Sequence, residues 1–221
     1  MHAEPKSNRG RLTRQRLLAA GKKVFERDGF LQARVSDIAA EAGVSHGSFY
    51  HYFDSKESIF RVIAEAVEVR LISMDDSAHD NQRTNDPIEK VRAANRSYLL
   101  AYKKEARIMR VIEEVSRYDD EVRKVRVERD NDLAARLEAA IASLQAQGVA
   151  DKRIDGRYAA MALGGMVARF AEQMFVGGGK YAQDRAIDQL TLLWCNALGL
   201  SGDVREGKTP ASGRSRRRVT R

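Results

Sequence analysis

The sequence predicts an all-α chain, in which a small N-terminal helix-turn-helix unit precedes a larger helical body. Three observations carry this. Only 3 of the 221 residues are proline, and apolar residues recur at helical rather than alternating spacing. Residues 35–53, VSDIAAEAGVSHGSFYHYF, read as two short helices about a tight turn. The chain is 43% hydrophobic, enough for the core of one mid-sized domain and a small one.

Taken in order, residues 1–10 are polar, with Pro5, Asn8 and Gly10, and read as a disordered basic arm. A first helix is expected over 13–27, with Thr13 as its N-cap and Asp28-Gly29 at its end. Leu17, Leu18, Val24 and Phe25 give it an apolar face. A second helix is expected over 35–42, with Ile38 and Ala39 inward; Ala39 is small enough to let another helix cross closely. Gly43 tolerates the positive φ that a sharp turn needs. Val44 plugs the turn, and Ser45 caps a helix over 45–52. Arg34 offers the second helix no side-chain cap, although Asp37 stands where a capping-box partner would. Asp54 and Glu57 read as cap and partner of a helix over 55–74, which joins the small unit to the body.

Residues 75–86 form a polar boundary, and His79 within it is given no role. Pro87 suits the first turn of the next helix. The span 88–118 reads as two helices bending near 103–105, with Tyr98, Leu99, Tyr102, Ile108, Met109, Ile112 and Val115 as its apolar positions. A long charged helix is expected over 120–147, striped by Val122, Val125, Leu133, Leu137, Ile141 and Leu144 and stopped by Gly148. The helix over 154–176 is rich in small residues, and Gly164-Gly165 in its interior costs up to about 1 kcal/mol per glycine. Close approach of another helix would offset that. Gly177-Gly178-Gly179 is a loop without the strand and GK[ST] order of a phosphate-binding loop. A last helix over 184–198 carries Ile187, Leu190, Leu193, Trp194 and Leu198. The domains expected are thus 1–10, 11–56, 57–200 and a basic tail, 201–221.

The second helix of a helix-turn-helix can enter the major groove of DNA. Here it offers hydrogen-bonding groups at Ser45, His46, Ser48, Tyr50, His51 and Tyr52, while Gly47 allows close backbone approach and Phe49 points inward. It contains no Lys or Arg, so base reading falls to His46, Gly47, Ser48 and the ring edges rather than to an arginine–guanine fork. On the pattern alone, an ordinary αα corner with a polar outer face is the alternative.

A denser set of residues narrows the choice. Thr13-Arg14-Gln15-Arg16-Leu17-Leu18-Ala19-Ala20, Phe25-Glu26-Arg27-Asp28-Gly29-Phe30 and Val35-Ser36-Asp37-Ile38-Ala39 belong to it. So do Ala42-Gly43-Val44-Ser45, Gly47-Ser48-Phe49-Tyr50 and Tyr52-Phe53-Asp54-Ser55-Lys56-Glu57. Together they resemble the N-terminal domain of the TetR family of transcriptional regulators. The resemblance implies that Tyr50, Tyr52 and Lys56 meet DNA phosphates, with Thr13 and the basic arm adding contacts. Arg34 departs from the family's usual threonine, and a phosphate near that helix end is its expected partner. The resemblance further implies homodimerisation through the last two helices, an inverted-repeat operator in double-stranded DNA, and a small-molecule effector. Candidate pocket residues are Tyr98, Tyr102, Met109, Met161, Met166, Phe170 and Met174, because methionine and aromatic side chains suit an adaptable apolar site. Residues of these types are more often plain core. Arg169 is expected to pair with Glu172 or another carboxylate, with an acidic ligand group as the alternative. Most simply the protein is a repressor released by a small apolar or amphipathic molecule. A constitutive DNA-binding or architectural protein without an effector is the alternative.

Composition argues against other classes. No HExxH, GxGxxG or cysteine pair is present, so no enzyme is expected. Four His and one Cys supply no zinc ligand set, and neither a metal nor a cofactor is expected. The single Cys195, the lack of a long apolar run and the lack of a signal-peptide core point to the cytoplasm and away from membranes. The net charge of +8 is concentrated at the ends. Lys6, Arg9, Arg11, Arg14 and Arg16 face only Glu4 in the first residues, and Arg214, Arg216, Arg217, Arg218 and Arg221 crowd the last. Such ends either touch nucleic acid or are simply solvated.

Overall fold

The computed structural model describes residues 7–77 and 85–200, the side chains of 72–77 excepted. The described residues form eight α-helices and no strand: α1 (Asn8–Gln32), α2 (Val35–Ala42), α3 (His46–Phe49), α4 (Lys56–Ser77), α5 (Pro87–Val115), α6 (Asp120–Ala146), α7 (Gly156–Phe175) and α8 (Gln183–Leu198). The chain is all-α, as its periodicity predicts. Residues 1–6, the tail from 201 onward, and His79 lie outside the described residues.

Several boundaries differ from the sequence expectation for local reasons. Asn8 to Gly10 are helical rather than part of a disordered arm, because the Ser7 hydroxyl accepts from the Gly10 amide at 3.1 Å and caps α1 there. Thr13 is therefore inside the helix, and its hydroxyl donates to the Arg9 carbonyl. Gly29 kinks α1 at φ 74°, and the helix resumes to Gln32. The cap of α4 is Ser55, not Asp54: the Ser55 and Ser58 hydroxyls accept from each other's backbone amides at 3.2 and 3.1 Å. The span expected to hold two helices is one, α5, with Pro87 in its first turn and the Asp86 carboxylate capping the Ile88 amide.

Helices α1 to α3 share a core with the start of α4. Leu17, Val24, Phe25, Ile38, Phe49, Ile59 and Phe60 are fully or almost fully buried in it. The Phe60 ring meets Phe25 and Phe30 edge-on at 4.9 Å each, a geometry that adds about 1 kcal/mol per pair beyond area burial. Beyond Ile63, α4 leaves this unit and packs on α5 and α6. In the body, α7 runs along α6 and α8 along α5, while α7 and α8 touch only briefly. Gly164 explains the α6–α7 closeness, since a Cβ there would stand 2.8 Å from Leu137 Cδ1. Its neighbour Gly165 has nothing within 4 Å of such a Cβ. Among the described residues, no helix is long and apolar enough to cross a membrane.

Candidate nucleic-acid interface and interior cavity

The turn between α2 and α3 is fixed from both sides. Gly43 adopts φ 63°, ψ 41°, a left-handed conformation open to glycine without strain. Its amide donates to the Ala40 carbonyl and that of Val44 to Ala39, each at 3.0 Å, which closes the end of α2. The Arg16 guanidinium of α1 donates to the Ala42 and Gly43 carbonyls, a cap that sequence reasoning missed. Ser45 then caps α3 as predicted, accepting from the Ser48 amide at 3.2 Å. α3 proper spans only four residues, with turns carrying the chain on to Tyr52. Phe49 is wholly buried and anchors it.

The outer face of α3 is largely exposed. Ser45, His46, Gly47, Tyr50 and His51 are exposed, Ser48 and Tyr52 half-buried. The His46 and Tyr50 rings meet edge-on at 5.3 Å, which orients both on the same side. Arg34 is exposed at the start of α2 and, as predicted, makes no side-chain cap. Thr13 is half-buried on α1. Lys56 is more engaged than its sequence position suggests. Its ammonium donates to the Phe30 carbonyl at 2.8 Å and lies 4.6 Å from the Phe30 ring centroid, closing the end of α1.

The body contains a cavity of about 200 Å³ between α5, α6 and α7. Of the candidate pocket residues, Tyr98, Tyr102 and Met161 line it. Met109 is instead buried core, and Met166, Phe170 and Met174 are half-buried away from its wall. Phe170 packs on Tyr181, ring centroids 4.9 Å apart. The wall is more polar than expected, with Arg126, Arg129, Asp130, Arg169 and Glu172 beside Leu133, Leu137, Ala160 and Ala168. Arg169 pairs with Glu172 at 2.6 Å, as the sequence suggests.

Behind the wall, Glu68 of α4 is 1% exposed and ion-pairs with Arg129 at 3.4 Å and Arg126 at 3.8 Å. Burial pushes the Glu68 carboxyl above its usual range, even with both guanidinium groups opposite. Arg129 stays fully charged: burial opposes its charge, but Glu68, Tyr98 and Asp130 outweigh that. Burial likewise pushes the Tyr98 and Tyr102 hydroxyls up, so both stay neutral at the cavity. Sequence reading missed Glu68 and Arg129, yet both carry a signal. Each is a charge standing in the register of an apolar stripe, Glu68 one turn from Ala64 and Leu71, Arg129 one turn from Val125 and Leu133.

Two further ties hold α4 to the body, and a third holds α1 to it. Arg61 meets Asp119 at 2.9 Å, and Arg70 meets Glu105 at 3.2 Å. Glu105 also meets Lys22 of α1 at 3.2 Å. Burial raises the Asp119 carboxyl, but its bonds to Arg61 and to the Val122 and Glu121 amides prevail and hold it below the usual range.

Similarity to known proteins agrees with this architecture. Residues 17–63 match the family model described as bacterial regulatory proteins, tetR family, and residues 84–197 match that of the tetracyclin repressor-like C-terminal domain. The HTH-type transcriptional regulator YdgC of Bacillus subtilis is 27% identical over 200 residues, covering 90% of this chain and 99% of YdgC. Among solved structures, a TetR-like transcriptional regulator from Rhodococcus sp. RHA1 is 26% identical, with a TM-score of 0.64 over 85% of this chain and 96% of that one. The TetR family regulator PfmR from Thermus thermophilus superposes with a TM-score of 0.65 at 21% identity, over 82% of this chain and 97% of PfmR. With both halves matched in order, and the helix-turn-helix and helical body arranged accordingly, the chain belongs to the TetR family of transcriptional regulators.

Proposed function

We propose that the chain is a cytoplasmic, homodimeric repressor that binds an inverted-repeat operator and leaves it when a small apolar or amphipathic molecule occupies the cavity. One arrangement carries this reading: an exposed reading face on α3 and a cavity between α5, α6 and α7, with α4 running from the one unit into the other. The face presents exposed hydrogen-bonding groups; the cavity has room for a ligand. His46, Gly47 and Ser48 read base edges, while Thr13, Arg34, Tyr50, Tyr52 and Lys56 set position on the phosphates, with Ser45 and His51 at the edge of the contact. Release follows only if the ligand favours a conformation that cannot span both half-sites.

Dimerisation rests on the outer surface of the last two helices. Tyr158, Met161, Leu192 and Leu193 are each more than half exposed there, which suits a twin surface. A two-fold pair would place two α3 helices on successive major grooves, about 34–36 Å apart.

Genomic DNA selection with the full chain at near-physiological salt tests the reading. Recovery of a short inverted repeat near promoters supports it, and recovery of bulk DNA without a shared motif overturns it. Sedimentation of Leu193→Glu tests the dimer: the variant should run as a folded monomer, and an unchanged dimer would place the interface elsewhere.

A further inference from the structure

Arg129 sits between a carboxylate and the cavity. It is 5% exposed, and its Nη1 donates to the Tyr98 hydroxyl at 3.0 Å. Its Nε is 3.4 Å from Glu68 and 3.0 Å from Asp130, yet neither carboxylate is in line to accept a hydrogen bond from it. Neither Glu68 oxygen has a hydrogen bond at all, although both are buried. Arg126, Arg129, Tyr98 and Asp130 border the cavity, whereas Glu68 reaches Arg129 from the α4 side. The pair that ties α4 to α6 is therefore held by charge alone, and one of its members lies open to a ligand.

We propose that the cavity takes a carboxylate-bearing amphipathic molecule, and that its carboxylate binds Arg129 in place of Glu68 and so unties α4 from α6. The proposal rests on the effector reading above and names the ligand class and the route of release. A guanidinium edge and a carboxylate match as two parallel hydrogen bonds, a geometry that Glu68 does not achieve. The Tyr98 hydroxyl, which already takes one Arg129 proton donor, stands beside that edge. Asp130 competes weakly, because its side chain is 53% exposed and water screens it. Leu133, Leu137, Ala160 and Ala168 receive the apolar part of the ligand. The incoming negative charge replaces that of Glu68, whose displaced carboxyl takes up a proton and leaves the buried site neutral.

The test uses three probes with one apolar body: 4-phenylbutyrate, 4-phenylbutanol and 4-phenylbutylamine. Each is titrated calorimetrically into the wild type, Glu68→Gln and Arg129→Lys, and operator retention is read in the same solutions. The carboxylate should bind the wild type about tenfold tighter than the alcohol, with the amine weakest. Glu68→Gln should tighten the carboxylate and leave the alcohol unchanged, and Arg129→Lys should erase the preference. The wild-type series decides the ligand class by itself if a variant fails to fold. Equal or tighter binding of the alcohol or amine overturns the proposal, as does failure of every probe at millimolar concentration. If the alcohol alone binds and releases the operator, the effector reading stands and this ligand class falls. If the carboxylate binds at Arg129 and operator affinity does not move, the effector reading itself falls, and the α4 step with it.

Discussion

Lys22 Nζ and Glu105 Oε2 lie 3.2 Å apart, and this contact joins the DNA-reading unit directly to α5 of the body. Arg70 of α4 takes the other Glu105 oxygen at 3.2 Å, so one carboxylate, 7% exposed, ties three helices together. Burial acts against the Lys22 charge, but its bonds with Glu26 and Glu105 outweigh that and raise its pKa. Glu105→Gln keeps the shape and removes the charge. Lys22 and Arg70 are partly solvated, so the loss should be about 1 kcal/mol rather than that of a fully buried pair. Urea unfolding of wild type and variant measures it.

Lys56 performs two tasks that a single alanine variant would confound. Its ammonium closes α1 on the Phe30 carbonyl, and its proposed second role is a DNA phosphate. Lys56→Met keeps the stem on the Phe30 ring and removes the charge. It should lower stability by about 1 kcal/mol and reduce the slope of log affinity against log salt by about one, equally for all DNA sequences. A melting shift with an unchanged salt slope would leave Lys56 with the structural task alone.

His46→Ala should behave in the opposite way. The side chain is exposed and meets the Tyr50 ring, so the melting temperature should hardly change, with about 0.5 kcal/mol as the upper bound. Operator preference should change instead, by about 1–3 kcal/mol at one base position of each half-site. Competition binding against a panel of single-base operator variants measures both.

Glu68 gives a pH signature. Its carboxyl is raised above the ordinary 4.5 by burial, against Arg126 and Arg129 and with Asp130 of α6 and Tyr98 of α5 nearby. A raised carboxyl binds its proton more readily folded than unfolded. Its contribution to stability is therefore complete below 4.5 and is lost as pH rises through the folded value. The melting temperature of the wild type minus that of Glu68→Gln should thus grow as pH falls from neutrality towards 4.5. A difference that is flat or shrinks over that window would contradict the burial of an ionised Glu68.

The reading unit was legible because its signals are local. Gly43, Ser45 and the spacing of Ile38, Ala39 and Phe49 each act within a few residues, and α2 ends where Gly43 says it must. The caps of α1 and α4 were misplaced because several hydroxyl and carboxyl residues compete at each start. Ser7 and Ser55 win over Thr13 and Asp54 through geometry that composition does not display. The cavity was legible only in part. Tyr98, Tyr102 and Met161 follow from residue type, whereas Met109, Met166, Phe170 and Met174 are of the same type and lie elsewhere. What separates them is the packing of α6 against α7, a long-range fact set by Gly164 and Leu137. The charged wall escaped notice because the surplus of Arg and Glu on α6 reads as solvated surface, and only the fold turns Arg129 inward.

The brevity of α3 bears on how such a regulator changes its target over evolutionary time. Its position is set by Phe49 beneath, Ser45 at its head and Arg16 across the turn, and none of these belongs to the set proposed to read bases. His46, Gly47 and Ser48 can be exchanged while that scaffold stays whole. A duplicated copy could thus drift to a new operator through a few viable intermediates, keeping its cavity and its α4 linkage intact. Inheritance of the sensor and replacement of the address would then proceed separately.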